Sequence, residues 1–330
     1  MKWRGYLTPV TENYLHAYGV GYISYVLARK FHVDSVKAFV TGTLHDLGGA
    51  VPADERVTVA ESIGISLNDE EREVPLLVHA KLGKYFAQIL FDITDEDMLN
   101  AILFHTTCID RASDLVKIVF LADKIRWDRN GTPPYLNGLL AALEISLDDG
   151  CSYFLKWLWN SDLYIVHPYL SRSYGAYVRQ QQYNPISLQD FSVLQGNLNE
   201  NLVEKYYLHD IYQEFHRTFY HAHLASVLAS KHSVNTEEAY VTSALVNMTN
   251  TIKDDELETI ASVLNLNVQV PIRPQLTSIL ARDEYGITSL EMLKTLKSFP
   301  QIPSNHNSLL WVVAMSWICQ KSIKCEVEDE

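Results

Sequence analysis

Six residues within the first 125 positions have the types and order of a metal-ligand set: His16, His45, Asp46, His79, His105 and Asp123. Imidazole and carboxylate are the usual ligands of first-row transition metals, and no thiolate joins the set. His45 and Asp46 are adjacent, so on a helix they point about a third of a turn apart. At a helix end both can reach one ion, and the second carboxylate oxygen of Asp46 can bridge to another. His16, His45 and Asp123 would then complete one ion's shell, and His79 with His105 the other's. Two ions roughly 3.5–4 Å apart can hold a bridging hydroxide and clamp phosphate oxygens during an in-line displacement. Taken singly, each histidine is more often a packed or surface residue than a ligand, and the joint order is what carries the reading. Asp123 follows Phe120-Leu121-Ala122 and Ile125 lies just beyond it. An acid in such an apolar run needs a partner or an ion.

The elements that must position these residues read as helices. Leu15, Tyr22, Ile23, Val26 and Leu27 recur at helical spacing, as do Val36, Phe39, Val40, Thr43, Leu44 and Leu47. Asp34 is placed to N-cap the second of these helices, with Gly48-Gly49 as its stop. Further helical patterns cover about 78–91, 95–105, 113–126 and 136–158, the last preceded by the break at Pro133-Pro134. No stretch sustains period-two alternation, so the sequence predicts an all-α fold.

A chain of 330 residues exceeds one ordinary core and suits two domains. The low-apolar stretch Arg179-Gln180-Gln181-Gln182-Tyr183-Asn184-Pro185 reads as a linker between them. Residues 26–47 and 227–248 align without a gap 201 positions apart, sharing Val26/Val227, Ala28/Ala229, Val33/Val234, Val40/Val241 and Leu44/Leu245 among other identities. A second echo pairs Ile93-Thr94…Met98-Leu99 with Ile287-Thr288…Met292-Leu293. The expected organisation is a tandem duplication: a domain over 1–178, a linker over 179–194 and a second copy over 195–330. The copies differ where chemistry would sit. His45-Asp46 becomes Val246-Asn247, His16 meets Arg217, His105 meets Phe299 and Asp123 meets Trp317. A copy without ligands is free for packing, capping or regulation, and could take the place of a partner subunit as an intramolecular pseudo-dimer.

The formal charge of −13 argues against broad binding to nucleic acid or anionic membranes, which rests on basic surface. The longest apolar run, Leu309–Cys319, is short of the roughly 20 residues that span a bilayer. The first six residues lack the apolar core of a signal peptide, and Cys108, Cys151, Cys319 and Cys325 have no metal-type pairing. These features are those of a cytoplasmic protein with reduced thiols.

The series His16…His45-Asp46…His79…His105…Asp123 resembles the HD-domain metal-dependent phosphohydrolases, in the six-ligand version associated with two metals. The match is carried by Thr43-Leu44-His45-Asp46, Leu77-Val78-His79-Ala80, Ala101-Ile102-Leu103-Phe104-His105-Thr106-Thr107 and Val119-Phe120-Leu121-Ala122-Asp123-Lys124-Ile125. It is nearest to the YqeK-type branch, the symmetrical diadenosine tetraphosphate hydrolases, and covers roughly residues 10–178. The resemblance implies a helical HD fold with a dinuclear centre, often iron, although manganese, cobalt or zinc would suit the same ligands. It implies a nucleotide substrate, cleavage of the tetraphosphate bridge into two ADP molecules by metal-activated water, and Asp46 and Lys124 in catalytic positions. Lys124 and Arg129 become candidate phosphate contacts, Thr106 and Thr107 candidate hydrogen-bond donors, and His167 of Val166-His167-Pro168 either a substrate contact or a packed histidine.

Three departures separate this chain from the family pattern. Gly49 stands where a lysine usually follows His-Asp, Cys108 replaces a glycine after His-Thr-Thr, and Arg126 replaces a glutamate after Asp-Lys-Ile. They leave open a phosphohydrolase of another nucleotide, or a nucleotide-responsive regulatory protein with little turnover.

Overall fold

Asp34 begins the helix that leads to the candidate site. Its carboxylate accepts the Lys37 N–H at 2.9 Å and so satisfies one of the free donors of the first turn. The helix it caps runs over Ser35–Leu44 and buries Ala38, Phe39, Thr41 and Leu44. His45 is its C-cap, and a short 3-10 turn, Leu47–Ala50, follows Asp46. The glycine pair expected to stop this helix therefore lies in a separate turn, past the two residues that matter.

The computed structural model describes residues 4–127, 131–184 and 200–328. Arg129, most of the expected 179–194 linker and the last two residues of the acidic tail lie outside the described residues, as does the side chain of Cys325. The described residues contain no strand, and the fold is all-α as the periodicity predicts. The helices are α1 (Pro9–Lys30), α2 (Ser35–Leu44), α3 (Arg56–Ser62), α4 (Asp69–Glu73), α5 (His79–Phe91), α6 (Glu96–Phe104), α7 (Asp114–Ile125), α8 (Leu136–Leu143), α9 (Leu147–Trp159) and α10 (Pro168–Tyr177). They continue with α11 (Glu200–Lys205), α12 (Leu208–Lys231), α13 (Thr236–Leu245), α14 (Asp254–Val263), α15 (Ile272–Asp283), α16 (Leu290–Ser298) and α17 (Leu309–Glu328).

One expected helix is two. The pattern over 136–158 breaks between Leu143 and Leu147, where Ser146 accepts the Asp149 N–H at 3.0 Å and starts α9 afresh. A Ser with Asp three residues on is an N-terminal signal strong enough to interrupt a continuing apolar stripe.

The chain divides into two compact units, a continuous one over Ile23–Tyr212 and a split one made of Met1–Tyr22 with Gln213–Glu330. The boundaries fall inside α1 and α12. In the continuous unit α2 packs on α6 and α7, and α5 packs on α6. Fully buried Phe39, Leu82, Phe86, Leu99, Ile102, Ile118, Phe120 and Leu121 form its centre. At roughly 2 kcal/mol for each large apolar side chain removed from water, this core is what fixes the helix ends in space. In the split unit α13 packs on α16 and α17, and α15 packs on α16.

The helix ends of the two units repeat. His32 and Ser233, 201 positions apart, are both left-handed, at φ 60° and 55°. Each is followed by the same closure, Val33 N–H to Ala28 O and Val234 N–H to Ala229 O. Asp34 and Asn235 then cap helices of equal length. Gly64 and Asn265 repeat the left-handed turn at the same interval, with Ile65 N–H to Ala60 O and Leu266 N–H to Ala261 O. Asp92 and Gly286 repeat it 194 positions apart, with Ile93 N–H to Ala87 O and Ile287 N–H to Ala281 O.

Candidate metal centre

Three helix C-termini deliver ligands. His45 caps α2, His105 caps α6, and Asp123 is third from the end of α7. Each end carries the partial negative charge of unpaired carbonyls, which disfavours another anion and favours a cation. A carboxylate in that position of α7 is therefore a site built for positive charge. Lys124 supplies part of it, with Nζ 2.6 Å from Asp123 Oδ2.

The fourth element approaches through a glycine. His79 is the first residue of α5, which lies against the turn at Gly48. A Cβ there would stand 2.0 Å from the His79 carbonyl oxygen and 2.7 Å from the Gly83 nitrogen, both backbone atoms that cannot step aside. Gly48 thus permits the close contact that brings His79 to Asp46. Its neighbour Gly49 faces the Asp46 carboxylate, where a Cβ would lie 3.2 Å from both oxygens.

The three histidines share one arrangement. Nδ1 of His45 lies 2.7 Å from Gly42 O, Nδ1 of His79 2.5 Å from Leu76 O, and Nδ1 of His105 2.7 Å from Ile102 O. Each Nδ1–H donates to the carbonyl three residues earlier, which fixes the tautomer and leaves Nε2 as the metal-facing nitrogen. His79 Nε2 and His105 Nε2 are 2.9 Å apart, and His79 Nε2 is 3.7 Å from Asp46 Oδ1. Asp46, His79 and His105 offer ligand atoms that all lie within 4.8 Å of one another. His45 Nε2 is 3.7 Å from Asp123 Oδ1, and the His45 and His105 rings meet edge to face at 4.9 Å. His45 and His105 are buried, whereas 35% of the Asp46 side chain is open to solvent, so the centre is reached from the Asp46 side. Nitrogen and carboxylate donors without a thiolate fit divalent transition metals.

Electrostatics separates the two halves of the centre. Burial pushes the His45 imidazole pKa down, but the hydrogen bond and charge of Asp123 outweigh it and leave the pKa raised. Burial lowers that of His79. His105 is held well below the ordinary value by burial and then by its neighbours His79 and His45.

The remaining expected residues fall into different places. The Thr106 hydroxyl lies 3.3 Å from His79 Nε2 and 3.2 Å from His105 Nε2, directly at the centre. Thr107 turns away, with its hydroxyl donating to Cys108 O at 2.9 Å and its carbonyl accepting from Ser173. His167 is not brought to the ligands. It caps α10 by accepting the Tyr169 N–H on Nδ1, and its Nε2 lies 3.3 Å from both Glu71 Oε1 and Asn68 Nδ2. With both ring nitrogens committed in a buried position, it packs rather than faces a substrate. His16 stands half-buried on α1, in the stretch that belongs to the split unit. Arg126 donates to Trp127 O at 2.9 Å, and Cys108 adopts φ 56°, the left-handed region that favours glycine.

Two supports carry no signal in the sequence. Arg56 donates through Nε to Val51 O at 2.8 Å and through Nη1 to Leu76 O at 3.1 Å. It thus shares the carbonyl that orients His79. Glu71, within an acidic run that reads as surface, is buried and pairs with Lys81 Nζ at 2.6 Å, two residues beyond His79.

Residues 13–128 match the model of the HD domain. A protein of Lactococcus lactis subsp. cremoris, described as an uncharacterized protein in the pepC 5′ region, is 46% identical over 138 residues, covering 42% of this chain and 71% of that protein. The symmetrical bis(5′-nucleosyl)-tetraphosphatase of Bacillus subtilis (strain 168) is 33% identical over 123 residues, which is 36% of this chain and 64% of that enzyme, just under two thirds of its length. A crystal structure from Clostridium acetobutylicum, described as a predicted HD superfamily hydrolase involved in NAD metabolism, aligns with a TM-score of 0.46 at 26% identity, over 51% of this chain and 89% of that one. Through its N-terminal part, the chain belongs to the HD-domain family.

Proposed function

We propose that the chain is a metal-dependent phosphohydrolase that cleaves a dinucleoside polyphosphate, with diadenosine tetraphosphate split symmetrically into two ADP molecules as the best assignment. The observation that carries this reading is the convergence of His45, Asp46, His79, His105 and Asp123 on one solvent-open point beside a lysine and a threonine hydroxyl. The match to a symmetrical tetraphosphatase of Bacillus subtilis supports the substrate class.

In this reading His45 and Asp123 hold one cation, joined by His16 on the strength of the sequence pattern alone, and Asp46, His79 and His105 hold the other. Iron is the first candidate, and manganese, cobalt and zinc suit the same donors. Such a pair supplies Lewis acidity toward phosphoryl oxygens and lowers the pKa of a coordinated water. The chain's own groups do the rest. Lys124 presents its ammonium beside the Asp123 carboxylate, where it offsets charge that builds on the phosphoryl oxygens. The Thr106 hydroxyl orients a phosphate oxygen or a water next to the His79 and His105 nitrogens. Asp46, adjacent to His45 and open to solvent, links the two sets. Arg129 serves as a second phosphate contact on the strength of the sequence pattern alone.

Metal content and products test this directly. About two metals per chain and ADP as the sole product from diadenosine tetraphosphate are expected. AMP with ATP would contradict symmetrical cleavage, and activity surviving Asp46→Ala would refute the ligand set. A second reading, hydrolysis of another nucleotide at the same centre, is favoured by Gly49 and Arg126. The first places no cation against Asp46, and the second turns its guanidinium to a backbone carbonyl. A panel of nucleoside mono-, di- and triphosphates distinguishes the two.

The repeated helix ends support a further reading, that α12–α17 descend from the same unit as α1–α7 and have lost the ligands. Caps and left-handed turns recur at fixed intervals, while Val246, Asn247, Phe299 and Trp317 stand at the ligand positions.

A further inference from the structure

The split unit contains a cavity of about 680 Å³. Its lining includes Val246, Asn247, Phe299 and Trp317, the counterparts of His45, Asp46, His105 and Asp123. The register is extended by a second contact between counterparts. Gly48 meets Gly83 in the continuous unit, and Thr249 Oγ1 meets Thr277 Oγ1 at 2.9 Å in the split unit. That interval of 194 on α15 sets Arg273 opposite His79, and Arg273 lines the cavity too. The counterparts of five ligand positions thus border a single cavity within the split unit.

The chemistry of the lining has changed in kind. Arg273 is the one ionisable group among the described lining residues, and that guanidinium is already committed. It donates to Thr249 O, to Ile252 O at 2.9 Å and to Asp254 Oδ1 at 2.8 Å. Among the described residues no carboxylate or imidazole lines the cavity, so the lining itself offers no metal ligands and no free cation for a phosphate; Lys321, outside the lining, holds Nζ over the Trp317 ring at 3.8 Å. What remains is mostly apolar and aromatic. Phe299 and Trp317 meet edge to face at 5.6 Å, with Pro271, Pro274 and Pro300 around them.

Polar groups in the cavity are carboxamides. Asn247 is held by Ser243 O at 3.2 Å and by His221 Nδ1 at 3.3 Å, and it accepts from Asn250 Nδ2 at 3.1 Å. The side chain of Gln269, exposed at the rim, makes no hydrogen bond among the described residues. Carboxamides donate and accept at once, and they pair with the edges of nucleobases. A cavity of this volume holds a molecule of nucleoside size.

We propose that this cavity binds an uncharged purine nucleoside, stacked on the Phe299–Trp317 pair and read at its base edge by Gln269 and Asn250. The location leans on the reading of α12–α17 as a copy, but the ligand class follows from the lining alone. The metal site has become a nucleoside site by exchanging imidazole and carboxylate for aromatic rings and amides.

Titration of the full chain with adenosine tests this, with binding followed by calorimetry. Saturable binding is expected, about tenfold or more weaker in Trp317→Ala and several-fold weaker in Gln269→Ala. The second variant alters an exposed side chain and reports even if the first fails to fold. Thr106→Val, at the other centre, should leave adenosine affinity unchanged. No saturable binding at millimolar adenosine overturns the proposal. Equal affinity in Gln269→Ala and folded Trp317→Ala overturns it as well, as does competition by inorganic tripolyphosphate. None of these readouts requires turnover, so the pocket can fail while the phosphohydrolase reading stands, and the reverse.

Discussion

His79 Nε2 and His105 Nε2 face each other across 2.9 Å, while each ring's Nδ1–H is tied to the carbonyl three residues before it. Two lone pairs held that close in a buried place repel unless a cation or a proton lies between them. The backbone anchors prevent either ring from turning away. The arrangement is therefore stabilised by an ion and costs energy without one. His105→Ala or His79→Ala should each remove about one metal equivalent per chain, leaving the His45–Asp123 half loaded. Metal analysis by mass spectrometry of the purified variants measures this, and full retention of both equivalents would sink the assignment.

The two halves should also respond differently to pH. The raised pKa of His45 means that its ring keeps a proton to higher pH than an ordinary imidazole in metal-free protein, so metal must displace that proton over a wider range of pH. The lowered values of His79 and His105 leave those rings already neutral. As pH falls through the raised His45 pKa, affinity at the His45–Asp123 half should weaken first. Calorimetric metal titrations in buffers of differing ionisation enthalpy should detect more proton release at one class of site than at the other, with the difference shrinking as pH rises. Equal proton release at both classes would contradict it.

How much of this was legible in the sequence depends on where the cause of each feature lies. His45, Asp46, His105 and Asp123 are visible because residue type and local helix phase already describe them. The break before α9 was also written locally, in Ser146 and Asp149, but a continuing apolar period masked it. Gly48 was readable only as a helix stop, because its need comes from the His79 carbonyl, far along the chain. His167 resembled a site residue by its His-Pro context, yet its ring is spent on Tyr169, Glu71 and Asn68. Glu71 and Arg56 look like surface charges until α5 packs beside them. Long-range contact, which no local pattern encodes, separates these cases from the first.

Gly48 makes a sharp test of that long-range contact. In Gly48→Ala the new methyl would sit 2.0 Å from the His79 carbonyl oxygen, so α5 must move outward. Overpacking of this kind costs about 1–3 kcal/mol. Because His79 begins α5, displacement should also lower metal occupancy. Gly49→Ala, whose Cβ would meet the Asp46 carboxylate first, at 3.2 Å, should cost less stability. Thermal melts paired with metal content compare the two, and equal stability for both variants would show that the α5 contact yields freely.

Glu71 ties the start of α5 to the rest of the continuous unit. It accepts from Lys81 Nζ at 2.6 Å and from Asn68 N–H at 2.7 Å, with His167 Nε2 at 3.3 Å. Burial alone would raise its pKa, but His167 and Lys81 pull it below the ordinary carboxylate value. A depressed carboxylate stabilises the folded state fully above its unfolded pKa, about 4.3, and loses that contribution as pH falls through the folded value. Glu71→Gln also leaves the Lys81 ammonium buried beside a neutral partner, at a cost of about 3 kcal/mol near pH 7. The variant should therefore melt well below the parent at pH 7, and the gap should narrow as both are taken below pH ~4. A gap independent of pH across that range would mean that Glu71 acts through shape rather than charge. Because Lys81 lies in the first turn of the helix that His79 opens, the same loss should loosen the His79 side of the metal centre before the His45 side.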